Sequence, residues 1–170
     1  MIFNTRLAIG VLLVCRANIC RSPMAQGLLR EELKLRRLHR RVRLDSAGTH
    51  AGQPGHAADG RAQQVCAREG IDLRRSRARQ VAARDFLRFD YILALDRPSL
   101  EWLLKAAPAE LKADISLLGD WAINGGVGDI PDPYYGSVAT FEAVLDMLHR
   151  AVDGFVPHLL ARVSGATQPA

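Results

Sequence analysis

The sequence predicts one α/β domain, a four-stranded parallel sheet flanked by helices on both faces. Three observations point there. Leu7 to Val14 reads LAIGVLLV, a continuous apolar run of the length of a strand buried on both sides. Three further short apolar runs alternate with segments of helical spacing, the pattern of parallel strands joined by crossover helices. The chain has 170 residues, 48% hydrophobic and 24% charged, the size and balance of one globular domain.

The elements follow in order. After the first strand comes CRANICRS and then Pro23, a residue favoured in the first turn of a helix. Met24, Leu28, Leu29, Leu33 and Leu35 recur at roughly helical spacing, which predicts a helix over Pro23–Leu38. Val42–Ser46 reads as the second strand, and 52–60 as a Gly- and Pro-containing loop. A helix is expected over Ala57–Glu69, stopped by Gly70, and a short helical turn between Val81 and Phe89. Asp90–Leu95 is the third strand, Leu100–Ala106 a helix and Ile115–Leu118 the fourth strand. A long glycine-rich loop over Ala122–Asp132 precedes a helix over Val138–Arg162 with a strong apolar stripe. The domain is expected over 1–163, with 164–170 as a flexible tail.

No run approaches the roughly 18 apolar residues of a membrane span. The first residues carry Arg6 and no small-residue cleavage site, a poor signal peptide, so a cytoplasmic protein without membrane insertion is expected. The net charge of +5 permits anionic partners without choosing among them. The basic run Arg36–Arg43 lacks interleaved aromatics, which argues for a solvated helix end and against nucleic acid. Three cysteines, Cys15, Cys20 and Cys66, are too few for a disulfide scaffold. With no histidine close to Cys15 and Cys20, a zinc site is not expected, nor is any cofactor.

In open parallel sheets ligands bind at the carboxyl ends of the strands, so the loop after the first strand is the place to look. It runs Cys15, Arg16, Ala17, Asn18, Ile19, Cys20, Arg21, Ser22. A loop between a strand and a helix N-terminus presents backbone amides as an anion cradle, and the helix dipole adds positive potential. Both favour a thiolate at Cys15. Arg21, six residues on, offers planar fork geometry for phosphate oxygens. The pair suits phosphate-monoester hydrolysis through a phosphocysteine. No Walker lysine and no dinucleotide glycine series is present.

VCRANICRSPMAQGLL resembles the signature of the low-molecular-weight protein tyrosine phosphatases, as do LDSAGT at Leu44–Thr49, FDYILALD at Phe89–Asp96 and DPYYG at Asp132–Gly136. The resemblance implies a phosphate-binding loop over Cys15–Ser22, a Cys15 nucleophile, Arg21 as transition-state clamp and a Ser22 hydrogen bond to the Cys15 sulfur. It implies that Asn18 braces the loop with Ser46, that Asp132 is general acid and then base, and that Tyr134 and Tyr135 line the pocket. Asp129 is the rival acid. Cys20 is implied to form a reversible disulfide with Cys15. Two positions depart from the family pattern. Ala17 stands where glycine is usual, and the stretch around Gly52 supplies no aromatic side chain to the pocket wall. The implied partner is a phosphotyrosine-containing protein, with a tyrosine kinase of polysaccharide export as one by analogy, and a monomer or weak dimer is expected. Two other readings remain: an arsenate reductase on the same scaffold, which would need further relay cysteines, and a catalytically weak phosphate-binding domain.

Overall fold

The computed structural model describes residues 8–165. β1 (Ile9–Cys15) lies between β2 (Val42–Gly48) and β3 (Tyr91–Ala94), and β4 (Asp114–Leu117) extends the sheet beyond β3. Every pairing is parallel, with Cys15 beside Gly48, Val14 beside Ala94, and Ala94 beside Leu117. The predicted sheet is therefore borne out. Helices α1 (Arg21–Leu35), α2 (Gly60–Arg68), α3 (Asp85–Arg88), α4 (Arg97–Ala106) and α5 (Val138–Gly165) connect and cover it.

The alternation of β1 assigns its residues to two cores. Val11, Leu13 and Cys15 join Met24 and Leu28 of α1, Val65 of α2 and Phe141, Leu148 and Phe155 of α5. Leu12 and Val14 point the other way, to Phe86, Phe89 and Leu103 around α3 and α4. Val11 to Val14 are all fully buried, and each such side chain contributes about 1.5–3 kcal/mol. This explains the unbroken apolar run: a central parallel strand has no solvent face.

Several boundaries differ from expectation for local reasons. Leu7 lies outside the described residues, as does 166–170 of the expected tail. α1 starts at Arg21, which puts Pro23 third in the helix, still within the turn whose N–H groups lack helical partners. It ends at Leu35 because Arg37 turns left-handed (φ 56) and Leu38 N–H donates back to Leu33 O at 2.8 Å. Leu38 packs on the core from that turn, which is why the apolar spacing runs past the helix. α2 starts at Gly60, three residues later than read, because Asp59 caps it by accepting from Arg61 N–H at 2.8 Å. α4 starts at Arg97, capped by Asp96 with Pro98 in its first turn. A 3₁₀ turn, Leu118–Trp121, takes the last residue of the expected fourth strand and fills the stretch before the expected long loop. α5 continues through Pro157 to Gly165, so Ser164 and Gly165 are helical.

After β1 the chain crosses to β2 on one side, and later reaches β3 on the other. The carboxyl end of β1 is thus the topological switch point, where crevices form.

Candidate active site

From Cys15 at the end of β1 the chain folds into a tight loop before α1 begins at Arg21. The reversal depends on Asn18, which takes φ 58, a left-handed conformation asparagine tolerates better than most side chains. Asn18 is 1% exposed, and its whole amide is engaged. Nδ2 donates to Ser22 Oγ at 2.9 Å and to Ser46 Oγ at 3.0 Å, while Oδ1 accepts from Arg79 N–H at 2.9 Å. Ser46 Oγ in turn donates to Gln26 Oε1 at 2.7 Å. Ser22 Oγ, already an acceptor from Asn18, has its proton available for Cys15 Sγ at 3.0 Å. The network therefore ends by presenting a donor to the sulfur.

The end of β2 supports the loop from the side. Thr49 N–H donates to Cys15 O at 2.9 Å and His50 N–H to Arg16 O at 2.8 Å. A Cβ on Gly48 would lie 2.6 Å from Arg16 O, so this approach needs glycine. Ala17 causes no comparable strain, since Asn18 is the non-glycine residue of the loop with positive φ.

Arg21 is 3% exposed. Its Nη1 donates to Asp96 Oδ2 at 2.5 Å and Ile130 O at 2.9 Å, and its Nη2 to Asp132 Oδ2 at 3.2 Å. Burial works against the guanidinium charge, but the negative charges at Cys15, Asp96 and Asp132 outweigh it and hold the group above its ordinary pKa. Burial also opposes ionisation of Asp96. Hydrogen bonds from Ser99 and the charge of Arg21 prevail, and its carboxyl sits below the usual range. Arg21 Nε is a buried donor with no hydrogen-bond partner among the described residues. A buried, partnerless N–H on a fixed cation is a ready site for an oxyanion.

Over this floor opens a cavity of about 390 Å³. Cys15, Arg16, Ala17, Ile19, Cys20 and Arg21 form its base. The segment after β2 adds His50, Gly52 and Gln53, and the segment before α5 adds Asp132, Tyr134 and Tyr135. Ser22, Asn18 and Ser46 lie behind the loop as its buried support. Tyr134 is held from below: Arg61, paired with Asp59, donates to Gly136 O at 2.7 Å and sits 5.8 Å from the Tyr134 ring centroid. Tyr135 is 98% exposed and meets Tyr134 edge-on, so it is not packed on α5. Asp129 accepts from Arg97 N–H at 3.1 Å and borders an adjoining cleft, whereas Asp132 faces the main cavity.

The three cysteines are free thiols in unlike settings. Burial, reinforced by the charges of Asp59 and Cys15, pushes the Cys20 thiol up to about 12. Burial does the same to Cys66, on α2 in the core, to about 12. A disulfide relay from the cavity to the surface therefore has no accessible third thiol. Among the described residues no cluster of His, Cys, Asp and Glu could hold a metal ion.

Sequence reading did not single out Asp96, Gln26, Arg61 or Arg79. Asp96 carried a usable signal, an Asp ending a buried strand and followed by Arg-Pro, which marks both a switch-point position and a helix cap. The others act only through contacts made in the fold.

The family model described as "Low molecular weight phosphotyrosine protein phosphatase" matches residues 10–165. A low molecular weight protein-tyrosine-phosphatase of Streptomyces coelicolor is 39% identical over 158 residues, 91% of this chain and 96% of that one. The crystal structure of a protein tyrosine phosphatase from Entamoeba histolytica, with Hepes in its active site, superposes with a TM-score of 0.86 at 33% identity, covering 91% of this chain and 98% of that one. Vibrio vulnificus Wzb in complex with benzylphosphonate gives a TM-score of 0.77 at 27% identity, over 88% and 98%. A cysteine-floored anion loop at the switch point of a parallel sheet, in a chain matched almost end to end, places this protein in the low molecular weight phosphotyrosine protein phosphatase family, as a hydrolase acting on phosphotyrosine proteins.

Proposed function

We propose that the enzyme hydrolyses phosphotyrosine and small aryl phosphates through a phosphocysteine on Cys15. The observation that carries this is the convergence of Cys15 and Arg21 on one cavity, with Asp132 at its side. The phosphate dianion sits in the loop against the Arg21 guanidinium, whose Nε has no other partner among the described residues. By taking over Arg21 it frees Asp132 Oδ2 from its ion pair to face the leaving oxygen. Cys15 Sγ attacks phosphorus in line, the P–O bond breaks, and Asp132 gives its proton to the phenolate. Arg21 holds the equatorial oxygens, and the Ser22 hydroxyl, keeping its own proton, donates a hydrogen bond to the sulfur that stabilises it again when it leaves. Water, deprotonated by Asp132, then cleaves the phosphocysteine.

Asp132→Asn is the test of the acid. Turnover of phenyl phosphate should fall by about 10²- to 10⁴-fold, while an activated nitrophenyl ester should lose much less. The same dependence appearing in Asp129→Asn and not in Asp132→Asn would transfer the role to Asp129. Loss in neither would mean that this loop supplies no general acid.

Cys20 we assign a protective redox role. Peroxide converts Cys15 to its sulfenic acid, and the Cys20 sulfur displaces water to form the disulfide. Conversion of Cys15 also removes one of the charges that hold Cys20 as a thiol. Peroxide inactivation should stay reversible by dithiothreitol in the wild type, with a Cys15–Cys20 peptide seen by mass spectrometry, whereas in Cys20→Ser further peroxide carries the sulfenic acid to the sulfinic acid and reversal is lost. A Cys15–Cys66 bridge would overturn this.

Among the described residues, no helix is long and apolar enough to cross a membrane. We propose the cytoplasm as the compartment, since three free thiols, one of them catalytic, suit reducing conditions. For the partner we propose a tyrosine kinase of polysaccharide export bearing phosphotyrosine. Support for an aromatic phosphoester comes from the benzylphosphonate held by the Vibrio vulnificus relative. Turnover of that kinase against unrelated phosphoproteins tests the choice.

A further inference from the structure

We propose that Arg79 is a positioning residue for the nucleophile, setting the hydrogen bond on Cys15 through Asn18. This rests on Cys15 being the nucleophile. Residue 79 lies on the segment between α2 and α3, 61 positions from Asn18, and touches neither the cavity nor the sulfur. Its backbone nevertheless meets the site twice: N–H donates to Asn18 Oδ1 at 2.9 Å, and its carbonyl accepts from Gly48 N–H at 2.8 Å. That backbone is paired with Gly48 on either side of Gln80, and its own side chain adds a second hold. Nη1 and Nη2 grip the two oxygens of Asp85 at 2.8 and 3.2 Å, and Nε reaches Asp45 Oδ2 at 3.0 Å.

Both carboxylates are themselves tied down. Asp85 is 1% exposed and accepts from Ala82 N–H at 2.9 Å. Asp45 accepts from Ser46 N–H at 2.8 Å, the residue whose hydroxyl shares the Asn18 amide. The guanidinium thus spans α3 and β2 and holds the 79 N–H at one place. Asn18 must orient its Oδ1 to that N–H. Its Nδ2 is then aimed at Ser22 and Ser46, and Ser22 is left to direct its proton to Cys15. An asparagine amide is nearly symmetrical in shape, so a fixed donor on its oxygen side is what selects the orientation that serves the sulfur. A fork bound on both sides does this; a single ammonium does not.

Arg79→Lys keeps the charge and the backbone N–H and removes the fork. The direct readout is the pH dependence of Cys15 alkylation by iodoacetamide, since burial pushes the Cys20 and Cys66 thiols up to about 12. In the wild type, alkylation must abolish turnover; failure there would refute the Cys15 nucleophile itself and is separate from Arg79. With that shown, Arg79→Lys should move the alkylation midpoint upward and lower kcat about tenfold with KM nearly unchanged. In an Asn18→Ala background the same substitution should have little further effect, because the path is already cut. Asp45→Asn supplies a second variant. Losing a negative charge near the site would by itself move the midpoint down, so an upward shift marks loosening of the clamp. A lowered melting temperature with midpoint and kcat unchanged would make Arg79 merely structural. Full additivity with Asn18→Ala would overturn the route through Asn18.

Discussion

Cys15→Ser is expected to lower turnover of an aryl phosphate by at least about three orders of magnitude while leaving the fold intact. A hydroxyl in this loop is a far poorer anion than a thiolate, and the single Ser22 proton at 3.0 Å does not make up the difference. The strand is not endangered, because Val11 to Val14 carry its packing, and the Thr49 N–H bond to Cys15 O and the register of Cys15 beside Gly48 are backbone features that the side chain does not make. Single-turnover kinetics alongside a thermal melt check both halves. Turnover within about tenfold of wild type would remove Cys15 as nucleophile.

Arg21→Lys should be nearly as damaging, by about 10²- to 10³-fold in kcat, although the charge survives. The guanidinium is stretched over several partners at once: Asp96 and Ile130 O on one nitrogen, Asp132 on another, with Nε left for the substrate. An ammonium can serve the Asp96 side or the phosphate side, and has no planar face to match three equatorial oxygens. It would also leave Asp96, pulled below its usual range partly by this cation, with a weaker partner in a buried setting. The measurement is kcat and KM on an aryl phosphate; near-normal values would show that Arg21 is only a strut between α1 and β3.

The parts of this molecule visible in the sequence were those written in neighbouring residues. The run LAIGVLLV fits a central strand, and CRANICRS between it and Pro23 reads as a loop entering a helix, so the sheet and its crevice followed. The resemblance then supplied roles for Cys15, Arg21 and Asp132, and the fold brings all three to one cavity. Arg79 was invisible because SRARQV has no local feature; its meaning lies in Asp45, Asp85 and Asn18, which the chain brings to it from three separate segments. The same holds for Gln26, one more polar residue on a helix until Ser46 is placed against it. The 3₁₀ turn at Leu118–Trp121 follows β4 directly and extends too briefly for periodicity to show.

The span of the Arg21 contacts also bears on how the chain reaches its native state. Asp96 is 75 residues from Arg21 in sequence and Asp132 is 111 away, and all of the sheet's pairings are parallel crossovers. Such non-local closures are slow, since the entropy of a long loop is lost before its contacts form. Helix α1 can gather on β1 and β2 early, on local apolar contacts, whereas α5 is more than 120 residues from β1 and joins late. The guanidinium finds its carboxylates only after β3 has docked and the segment carrying Asp132 has settled beside it. Competence for turnover is then among the last properties the folding chain acquires, and the reactive sulfur emerges with its helix before the groups that discipline it are in place.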